Sequence, residues 1–246
     1  MITHKNIGYT GRLGNQMFQY AALKVISILM EQPIVLPDNT NIKQDGCYDF
    51  TNNKWIPYKL DLLDCFDLDC QIKEIEGDNI VIDGYFQSCS HLLKHEKEII
   101  NEFTFKQPIL NKCKEKINQY LNPVSIHIRR GDYVNHPGYW VVTPEYIQDA
   151  LSHFQDNEYT FLIFSDDIEW CKQIFPEGVI FMEGNDQFED LCMMSLCKHN
   201  KIANSSYSWW GAFLNQNPNK KVIAPSNWFI PAKPLNNLYP NSWITI

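Results

Sequence analysis

Positive charge is what this sequence has least of. Lysine and arginine number 21 against 29 aspartates and glutamates, a formal net charge of −8. No Lys/Arg cluster makes the basic face that a nucleic-acid backbone requires, which argues against nucleic acid as a partner. Long hydrophobic runs are missing too. The N-terminal stretch MITHKNIGYTGRLGNQ carries no signal core. The nearest apolar stretch, 25–30, is far too short to cross a bilayer. A cytoplasmic protein without a transmembrane segment is expected, and peripheral contact with a membrane surface stays open. The eight cysteines form no C-x-x-C and stand beside no paired-histidine spacing, so free thiols in a reducing compartment are expected rather than zinc or disulfides. A Walker G-K-[ST] loop, a G-x-G-x-x-G fingerprint and a nucleophile elbow are all absent. One D-x-D, Asp67 and Asp69, has metal-like spacing, but no strand leads into it and it reads as surface loop.

What is present is an ordinary globular composition, 44% hydrophobic and 20% charged over 246 residues. The apolar pattern alternates between strand and helix periods. Residues 3–9 read as a strand, Gly11 and Gly14 break the chain, and 16–30 read as a helix. A strand at 33–37 follows, then a polar segment, 38–76, with no clear element. Residues 79–86 read as a strand, and 90–103 and 108–121 as helices. From Pro123 a new series begins, with strands at 124–128, 159–165, 178–182, 201–204 and 221–225. Helices at 144–154, 167–175, 187–198 and 207–216 separate them. Such alternation predicts an α/β fold with parallel sheets. Two Rossmann-like halves, 1–107 and 108–246, are expected to face a cleft, with ligands beyond the carboxyl ends of the strands.

Three of those strand ends carry chemistry. In TGRLGNQ (10–16), Gly11 and Gly14 allow close backbone approach, and the helix that follows offers free N–H groups to a phosphate. A tight turn that merely needs glycine is the alternative. In SIHIRRGDYV (125–134), Arg129 and Arg130 stand side by side at a strand end, with His127 before them and Asp132 after. Arginine binds phosphate through two parallel hydrogen bonds, so the pair suits a pyrophosphate. A structural ion-pair network with Asp132 is the alternative. In ANSSYSWWGAFLN (203–215), Asn204, Ser205, Ser206 and Tyr207 lie where strand passes into helix. Their groups can hold an anion or simply cap the helix. Trp209 and Trp210 read as core. Two acidic stretches add to these. Asp166 and Asp167 follow a strand and can cap the next helix or touch a ligand, while Asp190 lies in the otherwise apolar helix FEDLCMMSLC. A carboxylate there needs partners, and the N1–H and N2–H edge of guanine is a bidentate match.

At these residues the chain resembles the bacterial-type α-1,2-fucosyltransferases, glycosyltransferase family 11. The matching stretches are GRLGNQMFQYA from residue 11, HIRRGDYV (127–134), FSDDIEWC (164–171) and NSSYSWWGAFLN (204–215). They occur in the family's order and extend over most of the chain. The resemblance implies a GT-B fold, GDP-fucose as donor, inversion at the anomeric carbon and no metal or other cofactor. By motif, it implies that Arg129 binds the β-phosphate and stabilises the leaving GDP, supported by Arg130 and Asp132. His127 and Asp190 would read guanine. Ser205 and Ser206 would hold the pyrophosphate, with Asn204, Tyr207 and Asp166 also on the donor side. Asn15, in the loop of Gly11, Arg12, Gly14 and Gln16, would approach phosphate and sugar. The acceptor implied is a β-galactoside glycan, fucosylated at its 2-hydroxyl. The general base is left open among Asp132, His136 and Glu145.

Overall fold

The computed structural model describes residues 1–5, 7–8, 10–36, 66, 71–72, 80–154, 158–235 and 237–246. Asp67 and Asp69, Cys47, Cys65 and Cys70, and most of the 38–76 segment lie outside the described residues. The chain divides into two compact units, Met1–Lys106 and Gln107–Ile246.

The first unit runs β1 (Ile2–His4), α1 (Leu13–Met30), β2 (Val35–Leu36), β3 (Gln71–Ile72), β4 (Ile80–Ile82), α2 (Cys89–Leu93) and α3 (Glu96–Glu102). β1 pairs in parallel with β4, and β2 with β3. A parallel bridge from Ile2 to Ile34 links the two pairs. α1 is buried on nearly every side from Leu13 to Leu23, which marks an interior helix rather than an amphipathic surface one. Its Tyr20 hydroxyl donates to Glu102 at 2.6 Å, and Lys24 pairs with the same carboxylate at 2.6 Å.

Several predicted boundaries move here. The helix expected from residue 16 starts at Leu13, because Arg12 is extended (φ −91°, ψ −177°) and takes the cap position. Gly14, Asn15 and Gln16 therefore stand in its first turn rather than in a loop. The strand expected over 79–86 is only Ile80–Ile82. Gly84 (φ 140°) and Phe86 (φ 50°) turn the chain away from the sheet.

The second unit runs α4 (Gln107–Ile117), β5 (Pro123–Ile128), α5 (Pro144–Ser152), β6 (Thr160–Ser165), α6 (Ile168–Ile174), β7 (Ile180–Phe181), α7 (Gln187–Leu196), β8 (His199–Lys201), α8 (Ser206–Phe213), β9 (Val222–Ala224) and β10 (Ile244–Thr245). The strands form one parallel sheet in the order β10-β9-β8-β5-β6-β7. β5 is central and buried on both faces, as parallel sheets covered by helices require. Ile126, Ile128, Ile163 and Ile223 fill one apolar cluster with Val142, Ile147 and Cys171. Ser125 of β5 and Asn200 of β8 satisfy one another inside the sheet. Asn200 donates to Ser125 Oγ at 2.7 Å and to the Met194 carbonyl at 2.8 Å. Trp209 and Trp210 are fully buried, as core residues. The described cysteines are free thiols. The strand expected at 201–204 is instead His199–Lys201, which leaves Asn204 beyond its end.

One buried group stands apart. Lys201 is 1% exposed. Its Nζ lies 3.4 Å from the His127 carbonyl and 4.3 Å from the centre of the Tyr146 ring. Among the described residues no carboxylate pairs with it. Desolvation holds its pKa well below the usual lysine value. Replacing Lys201 by methionine should raise the unfolding free energy, by ~1–4 kcal/mol as when other buried charges give way to apolar side chains. The unfolded chain binds the proton that the folded one refuses, so wild type gains stability as pH rises toward the ordinary lysine value. The gap between the two proteins should therefore close at alkaline pH. Urea unfolding across pH measures it, and a variant less stable than wild type at neutral pH contradicts the desolvation argument.

Candidate active site

The sheet order of the second unit reverses at β5. The chain passes from β5 outward to β6 and β7, then returns to place β8 on the other side of β5. Ligands in such sheets bind beyond the carboxyl ends at this reversal. The residues found there are those that end β5, β6 and β8.

β5 delivers Arg129 and Arg130. Arg129 pairs with Asp132 and, at 2.8 Å, with Asp166 at the end of β6. Arg130 donates from Nε to Asp167 at 3.2 Å, and its guanidinium lies 3.9 Å from the centre of the Trp170 ring. Asp166 also accepts the Arg130 backbone N–H at 2.9 Å. This approach requires glycine at 131, since a Cβ there would sit 2.5 Å from Asp166 Oδ2. Asp167 caps α6 by accepting from the Trp170 N–H at 3.3 Å. The ion-pair network is therefore present, and wider than Asp132 alone. It does not exhaust the arginines. Each guanidinium has five N–H donors. The pairs engage Nη1 and Nη2 of Arg129 and Nε of Arg130. Asp132, with 51% of its side chain exposed against 27% for Asp166, is the more open of the two carboxylates on Arg129.

The end of β8 and the start of α8 bring further polar groups to the same end of the sheet. Asn204 donates to the carbonyls of Trp140 at 2.7 Å and Trp228 at 3.0 Å, while its Oδ1 is buried without a hydrogen-bond partner. Tyr133 donates from its hydroxyl to the Asn204 carbonyl at 3.2 Å, and its ring lies 5.3 Å from the Arg129 guanidinium. Ser205 occupies the cap position of α8, but its side chain makes no capping hydrogen bond. That corrects the capping expectation at Ser205.

His127 is buried, with its ring 5.6 Å from that of Tyr207. Burial, then Arg129 and Lys201, push its pKa down to about 3, so the ring is neutral. Its Nδ1 has no hydrogen-bond partner. The Tyr207 hydroxyl donates to the Gln187 carbonyl at the start of α7, one turn before Asp190. Burial raises the Asp190 carboxyl to about 7, against the pull of Asn185 and Lys116. Asn185 donates to it at 2.9 Å.

The first unit holds its own cluster. Asn15 accepts from Gln87 Nε2 at 2.8 Å. Gly11, at φ +83°, packs so closely that a Cβ would lie 2.5 Å from Asn15 Cβ. Gln16 and Gln19 are buried, and Gln19 donates to the Thr10 carbonyl at 3.3 Å. Arg12 is exposed.

Residues 43–246 match the model of the family described as Glycosyl transferase family 11. The chain belongs to glycosyltransferase family 11. It is similar to an Alpha-1,2-colitosyltransferase of Escherichia coli, at 33% identity over 96% of each chain. It is also similar to the O-antigen biosynthesis glycosyltransferase WbnK of the same species, at 29% identity over 96% of this chain and 98% of that one. A Galactoside alpha-(1,2)-fucosyltransferase 2 of Sus scrofa is 24% identical over 95% of this chain and 75% of its own length. Among solved structures, the fold is similar to fucosyltransferase NodZ from Bradyrhizobium, with a TM-score of 0.55 and 10% identity over 85% and 91% of the two chains.

This family 11 glycosyltransferase therefore has an α/β fold with parallel sheets, as the strand–helix alternation implied. The family match takes in the arginine pair, Asp166, Asp190 and 204–207, while Asn15 and its neighbours precede it. Among the described residues no helix is long and apolar enough to cross a membrane. Sequence reasoning missed Tyr133, Trp170, Lys201 and Gln87. Tyr133 and Trp170 stood inside the quoted motifs HIRRGDYV and FSDDIEWC, and that placement was the available signal. Of the open base candidates, Asp132 holds Arg129. His136 accepts the Gly138 N–H at 3.1 Å through Nδ1. Hydrogen bonds from its own backbone and Thr143 lower the Glu145 pKa, which makes it a weaker base.

Proposed function

We propose that the enzyme transfers fucose from GDP-fucose to the 2-hydroxyl of a galactose-ended glycan, with inversion and without a metal ion. Its units would be two Rossmann-like halves facing a cleft in the GT-B manner, 1–107 on the acceptor side and 108–246 on the donor side. The observation that carries the reading is the meeting of Arg129, Arg130 and 204–207 at the strand-order reversal, in a chain of this family. The pig relative is named for α-1,2 transfer of fucose to galactosides, which supports linkage and acceptor class.

In this reading the C1–O bond between fucose and the β-phosphate breaks, and its electron pair stays on the phosphate oxygen. The acceptor oxygen bonds to C1 from the opposite face and passes its proton to a carboxylate or histidine base, the role open to Asp132, His136 or Glu145. Negative charge grows on the β-phosphate oxygen, where Arg129 donates hydrogen bonds that strengthen as the charge develops. Asp166 fixes the Arg129 guanidinium, and Trp170 and Asp167 fix that of Arg130. Ser205, Ser206 and the first amides of α8 would hold the remaining phosphate oxygens. His127 and Asp190 would take the guanine edge, and Asn15 with the Gly11–Gly14 turn would reach phosphate and sugar.

The test is GDP release from GDP-fucose in excess EDTA, with and without lactose, followed by linkage analysis. Lactose-dependent release with an α-1,2 product is expected. EDTA inhibition reversed by a divalent ion overturns metal independence. A different linkage overturns the acceptor position, and absence of release with any galactoside overturns the reading. The 33% identity to a colitosyltransferase favours a second reading, in which colitose replaces fucose as the transferred sugar on the same nucleotide carrier. Turnover of GDP-colitose in preference to GDP-fucose would replace the donor while leaving the phosphate chemistry unchanged.

A further inference from the structure

We infer that Gln87 is a positioning residue that holds the Asn15 side chain in one orientation, an inference resting on the proposed role of Asn15 toward the donor. β1 and β4 are adjacent parallel strands in the register Ile2↔Ile80, Thr3↔Val81 and His4↔Ile82. Their carboxyl ends open side by side, the location at which parallel sheets bind ligands. The segment leading to Asn15 leaves β1, and the 83–88 turn leaves β4.

That turn is built in an unusual way. Phe86, a bulky residue, holds φ 50°, a strained conformation that persists only where neighbours enforce it. The enforcing contacts are present. His4 Nε2 lies 2.7 Å from the Gly84 carbonyl, and its ring meets that of Phe86 edge-on at 5.9 Å. The Ser88 N–H donates to the Phe86 carbonyl at 2.8 Å. The result of this bend is that Gln87 Nε2 reaches Asn15 Oδ1 at 2.8 Å.

An asparagine amide turns about a soft terminal torsion, and a half-turn exchanges its donor and acceptor. With Oδ1 committed to Gln87, the direction of the Nδ2 donor edge is set. Gly11 closes the other side, since its backbone approaches Asn15 within the space a Cβ would occupy. Asn15 is thus bracketed by two segments that the parallel pairing brings together. Gln87 lies outside the motifs that carry the family resemblance, between the strand read at 79–86 and the helix read at 90–103.

The experiment compares Gln87→Leu, Gln87→Glu, Asn15→Ala and the double variant Asn15→Ala/Gln87→Leu. Leucine and glutamate both remove the donor to Asn15, and glutamate keeps size and polarity should leucine fail to fold. Each should lower kcat for GDP-fucose turnover ~10- to 100-fold, the usual effect of a misplaced reacting group. GDP affinity should fall less than kcat, and the variants should remain folded. In the double variant the Gln87 change should add nothing to Asn15→Ala, because it acts through Asn15. An active wild type whose folded Gln87 variants turn over equally fast overturns the positioning role and leaves the proposed function standing. Effects that multiply in the double variant also overturn it. A wild type that releases no GDP with any acceptor overturns the function, and the role of Gln87 with it.

Discussion

Arg129→Ala should lower sugar transfer by ~10³-fold or more, on the scale of other arginines that stabilise charge on a departing phosphate. Two effects add. In the proposed reaction the variant loses the donor aimed at the oxygen where charge grows. It also leaves Asp132 and one oxygen of Asp166, both partners of Arg129, as uncompensated negative charge beside the incoming pyrophosphate. Because the charge develops as the glycosidic bond breaks, kcat should fall further than GDP affinity. The fold should survive, since Asp166 still accepts the Arg130 N–H and Trp170 still supports Arg130. Arg129→Lys should recover part of the rate, as a point charge without the planar fork. GDP release and thermal unfolding, measured side by side, separate the two effects. A folded Arg129→Ala enzyme working near the wild-type rate would remove Arg129 from the chemistry.

Discrimination between GDP and ADP should depend on pH in wild type and lose that dependence in Asp190→Asn. Burial raises the Asp190 carboxyl to about 7, with Asp186 and Glu189 adding to the rise and Asn185 and Lys116 opposing it. Guanine offers two donors, N1–H and N2–H, and the ionised carboxylate is the form that accepts both. The affinity ratio of GDP to ADP should therefore climb as pH passes through the Asp190 value. The phosphates of the two nucleotides ionise alike, so the ratio isolates the base. Asp190→Asn should reduce it ~10- to 100-fold, the worth of a hydrogen bond to a charged group. A ratio unmoved by the substitution would place Asp190 outside the guanine site.

Asp190 also supplies a readout that needs no nucleotide. The folded chain holds a proton that the unfolded chain releases at lower pH. Its contribution to stability is thus complete below the ordinary carboxylate range and is lost as pH rises through about 7. His127 acts with the opposite sign. Burial keeps it neutral down to about 3, so stability falls as pH drops below the ordinary histidine value. The Asp190→Asn protein should keep the histidine slope and lose the carboxylate one.

The sequence by itself determined the chemistry of the strand ends. A paired arginine after alternating isoleucines and the 203–215 stretch are local patterns, and local patterns are set by neighbouring residues and by the periods of strand and helix. The alternation of those periods was enough for an α/β fold. Precise ends were less legible. The strand read at 201–204 is His199–Lys201, whose polar residues are bought into the sheet by long-range partners such as Ser125. Only the tertiary structure decided which strand ends meet. Nothing near Arg129 in sequence says that β8 returns beside β5 while β6 lies on its other side, because strand order comes from packing between distant segments. The same holds for Lys201, whose burial on β8 beside β5 and against Tyr146 contradicts its residue type, and for Gln87, which reaches Asn15 across 72 positions of chain. A side chain's type is written in the sequence, but its partner is chosen by whatever the folded core brings within hydrogen-bonding distance.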